Sequence, residues 1–493
     1  MWWWLLAWRL VNCAVLQTQF DPDEFWQALE PAHLVVFGRG HLTWEWAPGV
    51  ELRSWVHPLL LAAPMQLVAW VAPDSVYWAH MLPRMLVHGV LASLADGATC
   101  ALAARLGGPN ARAWALLFTA SNWFIFYCMP RTYSNSLEAA LHILALARFP
   151  LPGAPTASLR SALALASLGV MCRPSSVMIW LLLGPALVVD QPTWKAAASI
   201  VVYDVLPIAA LSMGALLAVD SFMYGHVVFT PVNFVRVNVF TSISALYGTH
   251  PWHWYCSQCL PALLGASLPA YALGLASGVP AHNRLVAAVV FVVAVLSLSP
   301  HKELRFALPV LPICLAGAAL GAARYFARRP TRKQVLGMFA VNAVPAAFLA
   351  LVHQRAPLDA AAFLSSAPGV SHVDVLMPCH TMPHFSHVHR ANVTLSFLDC
   401  SPPPLLLPQL DSARWARDSP AFVANAAELV ATRFANASWT PSHVVTGARF
   451  AADVEGVLLP RGYAEIARWP WAQADVGGVL ICYRRAAAVV VAP

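Results

Sequence analysis

Apolar stretches recur along this chain at 80–106, 113–129, 132–150, 160–172, 174–189, 196–219, 260–278, 285–299, 304–323 and 335–352, and one more fills residues 1–19. A hydrocarbon core is crossed by roughly 20 helical residues, so the pattern predicts about eleven helices in a polytopic membrane protein. Composition closes the other routes. Of 493 residues, 59% are apolar and 11% charged, against about a quarter charged in a soluble domain. One water-soluble core cannot hide that much apolar surface, and disorder, collagen and a small disulfide scaffold are excluded by the same figures. The +7 balance is modest and dispersed, which excludes a nucleic-acid partner.

Acids avoid hydrocarbon, and their placement divides the chain. Six of the 23 (Asp21, Asp23, Glu24, Glu30, Glu45, Glu51) lie between 21 and 51, and ten follow 353. The domain reading is a multi-span body at 1–353, which includes an acidic loop at 20–57, followed by a more polar region at 354–493. The stretches at 160–172 and 174–189, split by Arg173-Pro174, are short enough to form one broken or re-entrant element. Residues 1–19 carry four Trp and Arg9 with no small-residue cleavage site, which predicts a retained first helix. Arg324, Arg328, Arg329, Arg332 and Lys333 crowd one turn and place it in the cytosol. Counting spans outward puts the acidic loop, the loop 220–258, the turn at 301–303 and the whole tail on the opposite side. The glycosylation acceptors Asn392-Val-Thr394 and Asn436-Ala-Ser438 both fall in that tail. The far side is therefore expected to be the lumen of the secretory pathway. There Cys379 and Cys400 form the simplest disulfide pair. Beyond about 420, alternating segments such as 477–482 predict short strands and a small mixed module.

Several groups of residues are candidates for chemistry. In Asp21-Pro-Asp23-Glu24-Phe-Trp-Gln27 an Asp-Pro start precedes Asp23, Gln27 and Glu30 at i, i+4 and i+7 on one helical face, with Trp44-Glu45-Trp46 downstream. Such a segment suits an amphipathic helix on the membrane surface, or a carboxylate that deprotonates a hydroxyl or holds a sugar. Pro300-His301-Lys302-Glu303-Leu-Arg305-Phe306 sets four ionisable groups between two apolar spans, and it holds one of the three lysines in the chain. Cations grouped at a membrane boundary suit a phosphate ester, although single ones also snorkel. Arg84, Arg131 and Arg173 each neighbour a proline and, with Arg53 and Lys302, are candidates to surround an anionic lipid head. The loop from Asp220 through His250, Trp252, His253 and Trp254 suits sugar stacking or an interface belt. Cys256-Ser-Gln-Cys259 lacks the second pair of a metal site, and His380, His384, His387 and His389 fit no standard metal spacing. No metal is expected, and these histidines are candidates to meet phosphates or glycan hydroxyls.

With these blocks in view, the chain resembles the dolichyl-phosphate-mannose-dependent mannosyltransferases of the GT-C class over nearly its whole length. The resemblance rests on Pro22-Asp-Glu-Phe-Trp-Gln27, Gly40-His-Leu-Thr-Trp-Glu-Trp46, Arg53-Ser54, Arg131-Thr-Tyr-Ser-Asn-Ser-Leu-Glu138, Arg173-Pro174 and His301-Lys-Glu-Leu-Arg-Phe306. Three further blocks, 220–225, 248–255 and 376–389, are similar to the branch that adds the third mannose to the GPI-anchor precursor. The resemblance implies an endoplasmic-reticulum glycosyltransferase with membrane lipid, dolichyl-phosphate-mannose and the precursor glycolipid as partners. It implies α-1,2 transfer with inversion by single displacement and no cofactor. Asp23 matches the motif acid as base, with Glu24 as alternative or orienting partner. His301, Lys302 and Arg305, with Arg84 and Arg131, would bind the donor phosphate. Gln27, Trp44, Glu45, Asp220, His250 and His253 would meet the acceptor or a sugar. Asp21 departs from the pattern, since relatives carry an apolar residue or His there, and a third acid raises a neighbour's pKa by repulsion. Alternatives are a mannosyltransferase of lipid-linked N-glycan assembly or, in another class, a lipid or solute transporter, for which Asp96 or Glu138 would be indispensable.

Overall fold

The computed structural model describes residues 2–154, 158–241, 243–378, 380–402, 418–436 and 438–486. Among these, six helices are long and apolar enough to cross a membrane: Val76–Ser121, Trp194–Tyr224, Tyr255–Leu275, Pro280–Leu298, Leu304–Phe326 and Arg332–Ser366. Val56–Val71, Leu159–Cys172 and Pro174–Val189 are shorter apolar helices. The stretches read at 80–106 and 113–129 are separated at Gly107 and Gly108, where the dihedrals leave the helical region and divide the run Val76–Ser121 into two helices, and the second stretch ends in a further short helix, Trp123–Cys128. Val56–Val71 did not stand out in the sequence because Pro58 and Pro64 interrupt its pattern.

The chain forms two compact units, and neither is contiguous. The first comprises Met1–Ala14, Glu51–Leu60 and Arg84–Ala347, and the second Val15–Val50, Leu61–Pro83 and Phe348–Pro493.

The core of the first unit is the helix Leu304–Phe326, whose apolar window is 94% buried, against 6% for Trp194–Tyr224. Small residues explain the difference. A Cβ on Gly321 would strike the Ala270 carbonyl and the Gly274 amide, so two helices meet there at backbone distance. Two buried acids of this unit, Asp96 and Glu138, are paired with arginines. The Arg9 guanidinium donates to Asp96 at 2.7 and 2.9 Å and to Asn12 Oδ1 at 2.9 Å, tying the helix Trp2–Val15 to its neighbours. Glu138 lies 3.1 Å from Arg173 Nε. Asp96 and Glu138, the acids a transporter would use, each sit on an arginine.

The second unit contains a five-stranded sheet in the order β2-β1-β3-β5-β4. Its strands are β1 His372–Leu376, β2 Thr394–Phe397, β3 His443–Gly447, β4 Tyr463–Pro470 and β5 Val479–Arg485. β1 runs parallel to β2 and β3, while β5 pairs antiparallel with β3 and β4. The sheet begins about 50 residues before the expected position near 420. β1 is buried on both faces, as parallel strands are, and therefore shows no alternation. Its buried Asp374 accepts from Arg433 at 2.9 and 3.0 Å and from Trp439 Nε1 at 3.0 Å. Cys400 is disulfide-bonded. Cys379, its expected partner, lies outside the described residues.

Candidate active site

The acidic segment belongs to the second unit, and its start is built as the Asp-Pro motif predicts. Asp21 Oδ1 accepts the Asp23 amide at 3.0 Å, and the Pro22 carbonyl accepts Phe25 and Trp26 at 3.0 and 3.1 Å. Glu24 is fully buried, and its Oε1 accepts the Phe20 amide at 3.2 Å. Asp23 is half-buried. Asp21 and Glu24 each accept a main-chain amide of their own turn, and Asp23, like Asp21, is half-buried.

The expected single face of Asp23, Gln27 and Glu30 does not survive. Phe25–Leu29 forms a π-helical turn before the α-helix Glu30–Phe37, and the wider turn shifts every later residue around the axis. Gln27 stays half-buried, with Nε2 3.4 Å from Glu45 Oε1, beside a half-buried Trp44. Glu30 instead turns inward and is completely buried.

What it meets is the tail. Glu30 Oε1 accepts the Ser386 amide at 2.7 Å, and Oε2 lies 4.0 Å from His384 Nδ1. Trp26 Nε1 donates to the Met382 carbonyl at 3.1 Å, and its ring lies 4.3 Å from that of His380. His33 Nε2 is 2.7 Å from His389 Nδ1, and the Phe25 ring is 4.6 Å from that of His387. The tail histidines thus pack against the acidic segment rather than opening toward solvent. Among the described residues no three His, Cys, Asp or Glu side chains are grouped to hold a metal ion. Burial pushes His380 down to about 4, helped by His41 and opposed by Asp23, so the Asp23 carboxylate acts on this ring. Burial likewise raises the Glu30 carboxyl to about 7, against the hydrogen bonds from Ser386.

The cationic turn belongs to the first unit, and Glu303 organises it. Its carboxylate accepts from His301 Nε2 at 2.7 Å, from Arg305 Nη2 at 3.0 Å and from Arg305 Nε. Burial pushes Glu303 upward, but Arg305 and His301 outweigh it and hold the group well below the ordinary carboxylate range. Burial lowers His301, and Glu303 more than reverses that, leaving the imidazole raised. The buried Lys302 ammonium donates to the His250 carbonyl at 3.1 Å and to the Ser299 carbonyl.

Phe306 is where the cations of this unit gather. Arg305 lies 5.4 Å and Arg173 5.8 Å from its ring centre, and His301 packs at 5.6 Å. Arg173 was a candidate, with Arg84, Arg131, Arg53 and Lys302, to surround an anionic lipid head, but nothing in the sequence placed it beside Arg305. Arg131 is buried over Tyr127 at 4.2 Å, and Arg84 is buried in the π-turn Arg84–Gly89. The aromatic loop meets the cationic turn through its main chain: the His250 amide donates to the Pro300 carbonyl at 2.9 Å. The rings of His250 and His253 are exposed, the first stacked on Trp254 at 4.7 Å and the second 2.9 Å from Ser257 Oγ. Asp220, expected to meet a sugar, is fully buried. It accepts from Ser54 Oγ at 3.0 Å, the Trp55 amide at 2.9 Å and Thr230 Oγ1 at 2.6 Å, and so fixes the turn after Arg53. Cys256 and Cys259 are free thiols.

Residues 1–389 match the Alg9-like mannosyltransferase family. The chain belongs to that family. Its relatives include the GPI alpha-1,2-mannosyltransferase 3 of Danio rerio, 35% identical over 97% of this chain and 88% of that one. The protein of the same name from Homo sapiens is 30% identical over 94% of this chain and 82% of its own length. Among solved structures, ArnT from Cupriavidus metallidurans bound to undecaprenyl phosphate superposes with a TM-score of 0.61 at 14% identity, covering 99% of this chain and 98% of that one. The fold is accordingly of the GT-C type: a helical, multi-pass membrane body with a small sheet in its C-terminal region.

Proposed function

We propose that this mannosyltransferase transfers mannose from dolichyl-phosphate-mannose to a GPI precursor that already carries two mannoses, making an α-1,2 linkage on the lumenal side of the endoplasmic reticulum membrane. The observation that supports the substrate is identity of 30–35% along almost the whole chain to proteins of that name. The donor is β-linked and the product α-linked, so one displacement suffices. The acceptor 2-hydroxyl oxygen bonds to the anomeric carbon as the bond to the dolichyl phosphate oxygen breaks. The hydroxyl proton passes to Asp23, and dolichyl phosphate leaves as the anion. Asp23 suits the base because it is half-buried, while Glu24 is buried and engaged with the Phe20 amide. His301, Lys302 and Arg305 suit the leaving phosphate because cations stabilise charge that develops in the transition state, and Arg173 joins them through Phe306. Gln27, Trp44 and Glu45 are assigned to the acceptor.

The test offers microsomes containing this chain dolichyl-phosphate-mannose together with GPI intermediates carrying two or three mannoses. The two-mannose intermediate should gain one sugar, sensitive to an α-1,2-mannosidase. Elongation of lipid-linked N-glycan intermediates instead would overturn the substrate assignment.

A further inference from the structure

Glu30 stands seven residues beyond Asp23, outside the roles assigned above, yet it is fully buried and its carboxylate meets a residue 356 positions further along the chain, Ser386. We propose that Glu30 is a positioning residue: its carboxyl group, joined to the tail main chain at Ser386, fixes the π-helical turn that presents Asp23. The inference rests on the reading of Asp23 as base.

Trp26, Glu30 and His33 each hydrogen-bond this segment to the tail. Trp26 Nε1 donates to the Met382 carbonyl at 3.1 Å, His33 pairs with His389 at 2.7 Å, and Glu30 takes the Ser386 amide at 2.7 Å. Glu30 and Trp26 flank the turn Phe25–Leu29, Trp26 from inside it and Glu30 from the residue after it. π-turns are rare and short, and they persist where side-chain contacts over-determine them. A buried carboxyl would otherwise cost several kcal/mol, so its retention needs the partner it has found. Burial holds the group up to about 7, against hydrogen bonds from Ser386 and from the main chain of His41 and His384. A glutamine keeps an oxygen that accepts the Ser386 amide at the same length. An aspartate keeps the acid but withdraws it by one methylene, about 1.5 Å, a displacement that in a positioned displacement reaction costs on the order of 100-fold.

The experiment compares Glu30→Gln and Glu30→Asp in the full chain in microsomes, with initial rates at varied donor and acceptor normalised to the amount of protein. Glu30→Gln should transfer within about threefold of the wild type. Glu30→Asp should lose about tenfold or more in kcat, with both KM values within about twofold. Trp26→Phe, which keeps the ring and removes the N–H, should show the same kcat-only loss at smaller size, and it serves if the aspartate variant does not accumulate. Equal loss in both Glu30 variants, or loss in Glu30→Gln alone, would assign the carboxyl to chemistry and overturn the proposal. Unchanged kcat per molecule in Glu30→Asp and Trp26→Phe would overturn it as well. Failure of the underlying reading looks different: Asp23→Asn would then remain active whatever Glu30 does.

Discussion

Replacing Arg9 by methionine tests both the fold and the enzymatic reading. Arg9 is entirely buried and donates twice to Asp96, itself 1% exposed, at 2.7 and 2.9 Å. It also donates to Asn12 Oδ1 at 2.9 Å and to the Thr119 carbonyl at 3.4 Å. Arg9→Met strands the Asp96 carboxylate without a counter-charge, which costs about 3–5 kcal/mol. Asp96→Leu alone strands the guanidinium, with a similar loss. In the double variant both charges leave together. What remains lost are the bonds to Asn12 and Thr119, about 1 kcal/mol each, so the double should be less destabilised than either single and the coupling energy should exceed about 2 kcal/mol. Thermal unfolding of the purified chain in detergent, followed by tryptophan fluorescence, reads the stabilities, and mannose transfer in microsomes reads function. The double variant should transfer mannose at near the wild-type rate. A double variant no more stable than the singles would refute the closed pair. One that folds yet is inactive would give Asp96 the chemical role that a transporter predicts.

Other outcomes follow from the candidate site. Asp23→Asn should abolish transfer while the protein still accumulates in the membrane; full activity would remove Asp23 as base. Lys302→Ala should raise donor KM about tenfold or more with acceptor KM little changed, and an unaltered donor dependence would count against phosphate binding. Burial holds His41 and His380 down to about 4 against an ordinary 6.5. The unfolded chain therefore binds more protons between those values, and each ring should lose about 1.4 kcal/mol of stability per unit of acidification below 6.5. Glu30, raised from 4.5 to about 7, works in the opposite sense, with stability falling as pH rises through that window. Glu30→Gln should accordingly steepen the acid-side decline of the melting temperature, and an unchanged slope would refute the assignment. Asn392 and Asn436 are exposed, and Asn392→Gln and Asn436→Gln should each remove one endoglycosidase-sensitive mobility step if the tail is lumenal.

The body of the fold was legible because membrane helices announce themselves by length and apolarity, signals that tertiary context does not alter. Leu304–Phe326 and Trp194–Tyr224 fall almost where the hydropathy of the chain puts them. The chain could not say that one is the core and the other the periphery, since that depends on which glycines face which carbonyls. At the candidate site, local chemistry was readable: Asp21-Pro22 starts its turn as spacing predicts. The partnerships were not. Periodicity of 3.6 places Glu30 beside Gln27, but a π-turn has no local signature here and moves Glu30 into the protein. Asp220 has the residue type of a sugar ligand, and only its three donors reveal a cross-link. Arg173 and Arg305 both lie against Phe306, the last residue of the second motif, and nothing in the spacing of the two motifs sets Arg173 beside it.

The joint between Glu30 and Ser386 closes a loop of 356 residues, and this orders events on the ribosome. At about 5–20 residues per second, the second partner emerges roughly 20–70 s after the first. Until then the π-turn lacks its clamp, although every helix up to that point has been threaded. A nascent chain truncated before 386 would therefore be inserted and yet inert, and the last quarter of translation serves as the step that switches the molecule on.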